Sequence, residues 1–237
     1  MGKAIHERNT DASYPAIDEF YTSLAAAGSV LPFVPLRPSK PFRVWHPFSK
    51  KWSAFHRAFK HAGYDSVCSH IEDADGKGDF FGRIEDKEFM SGVDYIIDNP
   101  PFSVKYEVYK AVCDSGKPFA LLMAIPYSVS HNLFDQLARP EVDRHFIWFK
   151  RRWNFYTKDA EGNFCYIKAK NGRSRSNVTF STIYWTGNGF VNRDHYIDNI
   201  NRMKLEDETR INGILVKDDT GLSKANLATA RAETEIE

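Results

Sequence analysis

The chain has 237 residues, 42% of them apolar and 14% aromatic, enough for one cored domain with a small appendage. Its formal net charge is only +1, which excludes a globally basic nucleic-acid binder and leaves any such footprint local. No apolar run is long enough to span a membrane, and Cys68, Cys113 and Cys165 form neither a Cys-x-x-Cys pair nor an even disulfide framework, so a reduced, cytoplasmic setting is expected.

Residues 1 to about 15 are polar and expected to be loosely ordered, and Met1–Arg8 lacks the apolar core of a signal peptide. Ile17, Phe20, Tyr21 and Leu24 recur at helical spacing, with Gly28 as the stop. Residues 30–41 hold Pro32, Pro35, Pro38 and Pro41 and read as an extended linker. Phe42–Trp45 is the first strand. It leads through His46-Pro47-Phe48-Ser49-Lys50-Lys51 into a helix with Trp52, Phe55, Phe59 and Ala62 on one face and Gly63 at its end. Tyr64–Ile71 is the second strand. Strand–helix–strand order implies parallel pairing with a right-handed crossover. Ligands of such sheets sit at the C-terminal ends of the strands, here at His46-Pro47-Phe48 and Ser69-His70-Ile71.

A Gly- and Asp-rich loop, Glu72–Gly78, leads to Asp79-Phe80-Phe81. It lacks the late Glu and the flanking helices of a calcium loop, so no metal is expected. Val93–Ile97 is then a short buried strand, followed by Asp98-Asn99-Pro100-Pro101-Phe102. Two prolines cannot donate to a sheet ladder and bias the preceding residues toward extended backbone. The strand therefore ends in a stiff loop that presents an amide, backbone carbonyls and an aromatic ring. The Asn99 side-chain carbonyl, with the Asn99 or Pro100 backbone carbonyl, could accept both hydrogen bonds of an exocyclic amine, and Phe102 could stack on the ring that carries it. Read structurally, the same residues form a rigid turn that packs Phe102 into the core.

Ser103 sits where an N-cap is wanted, Val104, Val108 and Val112 follow at helical spacing, and Gly116 is a stop. Lys117–Pro126 reads as a central strand of a covered sheet. A short helix is expected over 130–138, a strand over His145–Phe149 and a last strand over Asn177–Trp185. The whole is an α/β domain over 42–187, doubly wound and mostly parallel with a terminal antiparallel strand pair. Residues 1–41 are set apart from it, and 188–237 form a polar tail, partly helical.

The Asn99-Pro100-Pro101-Phe102 stretch resembles the Asp/Asn/Ser-Pro-Pro-aromatic motif of the amino methyltransferases. With Phe20-Tyr21-Thr22, the strand into His46-Pro47-Phe48, and Gly78-Asp79-Phe80-Phe81, it stands in the order seen in phage and bacterial N6-adenine DNA methyltransferases. The resemblance covers roughly residues 17–187. It implies a Rossmann-like methyltransferase fold and transfer of a methyl group from S-adenosylmethionine to adenine N6 in DNA, with the base flipped or taken from a single strand. It assigns Asn99 and Pro100 to the amine, Phe102 to base stacking, Pro101 to setting the loop, and Asp98 to a contributing or strand-end position. It implies cofactor contacts from Phe20, Tyr21, Thr22, His46, Pro47, Phe48, His70, Ile71, Asp79 and Phe80. A basic stretch with interleaved aromatics, from which Lys150, Arg151, Arg152, Arg173 and Arg175 are taken, is assigned to DNA phosphates.

Two departures stand out. The family's first loop carries glycines that admit the cofactor, and His46–Ser53 has none. The second strand should end in an acid for the ribose, and here it ends in His70, with Glu72 and Asp73 just beyond. The departures support an alternative, a catalytically inactive nucleic-acid-binding protein on the same fold. RNA adenine or protein glutamine are alternative substrates.

Overall fold

Short runs rich in β-branched and aromatic residues form the strands of the computed structural model, which describes residues 21–35, 39–72, 78–124, 143–150, 153, 155–158, 164–165 and 182–198. In chain order the strands are β1 (Tyr21–Thr22), β2 (Arg43–His46), β3 (Asp65–Cys68), β4 (Tyr95–Asp98), β5 (Phe119–Ala124), β6 (Arg144–Phe149), β7 (Phe155–Lys158), β8 (Phe164–Cys165), β9 (Thr182–Gly187) and β10 (His195–Ile197). The helices are α1 (Leu24–Gly28), α2 (Ala54–His61), α3 (Phe80–Glu85), α4 (Lys87–Ser91) and α5 (Lys105–Asp114). Seven strands make one sheet in the order β10-β6-β9-β5-β4-β2-β3, and β1, β7 and β8 make a small antiparallel sheet.

Within the large sheet β3, β2, β4 and β5 are parallel neighbours, and β10 is parallel to β6. Strand β9 runs antiparallel between β5 and β6. This is the mostly parallel α/β sheet with a terminal antiparallel strand pair expected from the sequence, the pair being β6 and β9. Successive residues of a strand point to opposite faces, and both faces are covered. Val44, Ile97 and Leu122 pack with α1 and α2. Trp45, Ile96 and Leu121 pack with Phe80, Met90 and the Val104, Val108 and Val112 row. Burial on both sides explains why Phe119–Met123 is apolar throughout. Gly63 and Gly116 end α2 and α5 at φ +90 and +66, where a side chain would be strained.

Several expectations change. The helical spacing of Ile17, Phe20, Tyr21 and Leu24 does not carry a helix through Tyr21. Tyr21–Thr22 is a strand paired with β7, and α1 starts at Leu24 because the Ser23 side chain caps it, accepting from Ala26 N–H at 3.1 Å. The Pro-rich segment folds back as a 3-10 turn, Leu31–Phe33. Leu31 and Val34 are buried, and the Val34 carbonyl accepts from Tyr64 OH at 2.6 Å. Tyr184 OH likewise donates to the Ala26 carbonyl at 2.8 Å. Residues expected to lie apart from the domain thus belong to its core.

Helices α3 and α4 lie between the Glu72–Gly78 loop and β4, where no element is predicted, and are capped by Asp79, which accepts from Gly82 N–H, and Asp86, which accepts from Phe89 N–H. Ser103 is not an N-cap. It sits inside a 3-10 turn, Phe102–Val104, that precedes α5. Strand β10 lies in the stretch read as tail, its exposed Tyr196 stacked near Trp148. The expected helix over 130–138 and the strand start at 177–181 lie outside the described residues. Among the described residues no helix is long and apolar enough to cross a membrane.

Gly187 is required where β9 crosses β5. A Cβ there would stand 2.6 Å from Phe119 Cε1 and 3.2 Å from the Asp143 carbonyl, and Phe119 is fully buried with no room to retreat. Gly187→Ala is expected to destabilise the fold by about 1–3 kcal/mol, read as a lower urea midpoint with an unchanged slope.

Candidate functional site

The parallel strands β2, β3 and β4 end on one edge of the sheet, so the residues that follow them are brought together. Pro47 after β2, and Pro100 and Pro101 after β4, stop the ladders there. Between the two loops lies Asp98, 2% exposed. One of its carboxylate oxygens accepts from Phe48 N–H at 2.7 Å. The other accepts from Ser49 OH at 3.0 Å and from Asn99 N–H at 2.8 Å. Burial pushes its pKa up to about 7, against those hydrogen bonds, which favour the charged form. Of the two positions expected for Asp98, contributing or strand-end, these contacts are those of a strand-end residue that ties two loops, since both its oxygens are engaged by backbone and serine donors.

Asn99 follows at once. Its amide nitrogen donates to Thr22 Oγ1 at 3.2 Å. Its carbonyl oxygen is buried and has no hydrogen-bond partner among the described residues. The small sheet makes this contact possible, because pairing of Tyr21 and Thr22 with Tyr156 and Phe155 holds β1 beside the β4 loop. Tyr21 in turn lies 5.3 Å, ring to ring, from Trp52. Pro100 is buried, while Pro101 and Phe102 are half-buried and Lys105 Nζ donates to the Phe102 carbonyl at 2.8 Å.

The other assigned residues divide. The His46 ring is fully buried against Phe59 and Phe55, at 5.0 and 6.0 Å, and its Nδ1 meets the Ile97 carbonyl at 2.5 Å. A carbonyl only accepts, so Nδ1 carries the proton, and burial lowers the pKa to about 3. His46 is thus a neutral core residue, not a pocket wall and not a cation. Pro47 is buried beside it, and Phe48 packs on Phe80 at 5.1 Å. Phe80, 2% exposed, stacks on Trp45 at 5.7 Å. It belongs to the core, and Asp79 spends one carboxylate oxygen on its helix cap.

Beyond β3, His70 Nδ1 accepts from Glu72 N–H at 3.2 Å, and the Glu72 carboxylate is paired with Lys50 Nζ. Ile71 is 42% exposed. Lys150 is paired at 2.6 Å with Asp198 just past β10. Phe20, Arg151, Arg152, Arg173 and Arg175 lie outside the described residues.

Sequence reasoning missed Ser49, the second donor to Asp98, and placed Trp52 on the buried face of α2. Trp52 precedes that helix and is 39% exposed. The available signal was Ser53, a capping residue type at the N-cap position, which starts the helix at Ala54, two residues after Trp52.

No family model matches the chain, and no curated protein does. Among solved structures it is similar to a predicted O-methyltransferase from Agrobacterium tumefaciens, with 9% identity and a TM-score of 0.38 over 74% of this chain and 84% of that one.

The raised pKa of Asp98 has a measurable sign. The folded state holds this proton more tightly than the unfolded chain, whose value is 3.8. The carboxyl therefore favours folding most below that value, and the contribution is lost as the pH rises to about 7. In Asp98→Asn this dependence is expected to vanish. At alkaline pH the variant loses about 1–3 kcal/mol, because its NH2 meets a donor. Urea unfolding at a series of pH values checks both.

Proposed function

We propose that this chain transfers a methyl group from S-adenosylmethionine to an exocyclic amino group, with adenine N6 of DNA as the substrate. The observation that carries the reading is the Asn99 side chain, whose amide nitrogen is held by Thr22 and whose buried oxygen lacks a partner among the described residues. Leaving a buried acceptor unpaired costs about 1–3 kcal/mol, and a ligand N–H removes that cost. An adenine amine carries two donors, one for Asn99 Oδ1 and one for the Pro100 carbonyl.

The residues at the ends of β2 and β3 fit the methyl donor through side chains more than through backbone. The Phe48 N–H is taken by Asp98 and the Ser49 N–H by the His46 carbonyl, so a glycine-free loop gives up little by lacking glycines. The exposed Ile71 would cover the cofactor's adenine, Glu72 would accept from its ribose and Thr22 would meet its amino-acid end. His46 is neutral in the core, so it places no positive charge near a sulfonium. S-adenosylmethionine supplies an electrophilic methyl group when bound.

Asn99 and Pro100 orient the amine and support the positive charge that develops on its nitrogen. Phe102 stacks on the base, Pro101 stiffens the loop, and Asp98 keeps Asn99 in register with the β2 loop. The nitrogen's proton leaves to solvent after transfer. A base paired in duplex DNA reaches this depth only when flipped.

The committed N–H groups of Phe48 and Ser49 also favour a second reading, a binding protein on this fold that performs no transfer. Labelled S-adenosylmethionine offered with DNA, RNA or a glutamine peptide decides among the substrates, and calorimetric titration with the same compound decides between transfer and binding alone. Asn99→Ala is expected to lower transfer to DNA by about 10²–10³-fold while calorimetric affinity for S-adenosylmethionine stays near that of the parent. Loss of both together would remove Asn99 from the amine.

A further inference from the structure

Residues 20–64 contain no Asp or Glu and seven Lys or Arg, in a chain whose net charge is only +1. Those seven are taken from a total of 32 basic residues, so the remaining chain has 25 against 31 acidic residues and a net charge of −6. Positive charge is therefore segregated, and helix α2 with the loop before it holds much of it: Lys50, Lys51, Arg57 and Lys60, with His56 and His61.

Two cations of the segment are neutralised by acids outside it, Arg43 by Asp65 at 2.6 Å and Lys50 by Glu72. Lys51 and Lys60 are exposed and form no ion pair among the described residues. Their charge is felt at His56, whose pKa is lowered by burial first and then by Lys60 and Lys51. Helix α2 buries Phe55, Ala58 and Phe59, so this face is turned away from the core. Lys60 in the last turn suits the helix dipole, but Lys51 at the opposite end gains nothing from it. Like charges gathered without acids repel one another and are relieved by an anionic partner.

The face also borders the candidate site. The loop that carries Lys51 and Trp52 is tied to Asp98 through Phe48 and Ser49. Trp52 is 39% exposed and meets Tyr21, whose neighbour Thr22 holds Asn99. We infer that the α2 face, with Lys51 and Lys60 as phosphate contacts and Trp52 as the aromatic at its inner edge, is the surface on which a nucleic-acid strand lies as its base enters the Asn99 pocket. The inference rests on the reading of that pocket as an adenine site. It moves the main phosphate contacts away from Lys150, which Asp198 neutralises. A basic face beside a buried acceptor that has no partner among the described residues, with one exposed aromatic, matches a nucleic-acid strand, whereas an anionic membrane needs no such acceptor.

The test is fluorescence anisotropy of a labelled adenine-containing single strand with the full chain, from about 50 to about 200 mM salt, alongside methyl transfer on the same strand. Each phosphate contact contributes about 0.7 to the slope of log affinity against log salt on a single strand. The double variant Lys51→Gln, Lys60→Gln should lower that slope by roughly 1.4, with circular dichroism unchanged. Lys87→Gln, on the separate helix α4, should keep the parent slope. A double variant with the parent slope overturns the surface, as does lysine-dependent binding to phosphatidylserine vesicles without binding to the strand. Transfer with an unchanged slope would leave the reaction standing and remove only this surface. A lowered slope without transfer would keep the surface and remove the reaction.

Discussion

A carboxylate sealed between two loops is the constraint on which this site depends. Taking an ionised carboxylate out of water is costly unless donors replace the lost hydration. Asp98 receives three donors, two backbone N–H groups and one hydroxyl, from both sides of the β2–β4 seam. Burial still dominates and raises its pKa. The balance makes the two loops one unit, because neither can move without stripping a donor from a buried oxygen. Whatever binds beside Phe48 or Asn99 therefore meets a shape set before it arrives.

Asn99 inherits that order. Its backbone N–H is fastened to Asp98 and its side-chain nitrogen to Thr22, which leaves one polar atom of the side chain uncommitted. An amide held at one end and open at the other selects for donors, since an approaching carbonyl would meet oxygen with oxygen. The open ion pair of Lys50 with Glu72 does much less. Both groups are substantially exposed, and such pairs contribute little to stability in water. Its consequence is to balance charge at the mouth of the site. His46 beneath it stays neutral.

The sheet supplies the rest through distance along the chain. The Asp98 contacts span 49 and 50 positions, and the Asn99–Thr22 contact spans 77. Strand β9, inserted antiparallel between β5 and β6, lets Tyr184 reach back to Ala26 over 158 positions. That bond secures α1, which directly follows Thr22. The stability of the large sheet and the position of Thr22 are thus linked.

Much of this architecture was legible beforehand. Strands β2, β4, β5 and β6 announce themselves as apolar or β-branched runs, and glycines at 63 and 116 mark real helix stops, because hydrophobic period and backbone strain are local properties. The Pro-Pro pair likewise determines by itself that β4 ends at Asp98. What sequence could not determine was the direction of side chains and the pairing of short segments. Tyr21–Thr22 carries helical spacing yet becomes a strand, because β7 offers it a ladder. His46 and Phe80 resemble pocket residues yet turn into the core, where they pack on Phe59 and Trp45. Asp79 becomes a helix cap because α3 begins at the next residue. The sequence alone placed an amide after a stiffened strand end. Only the tertiary structure decided which end of that amide is bound and which is open, because Thr22 reaches it, and the two donors of the β2 loop reach the neighbouring Asp98, through contacts that no local pattern encodes.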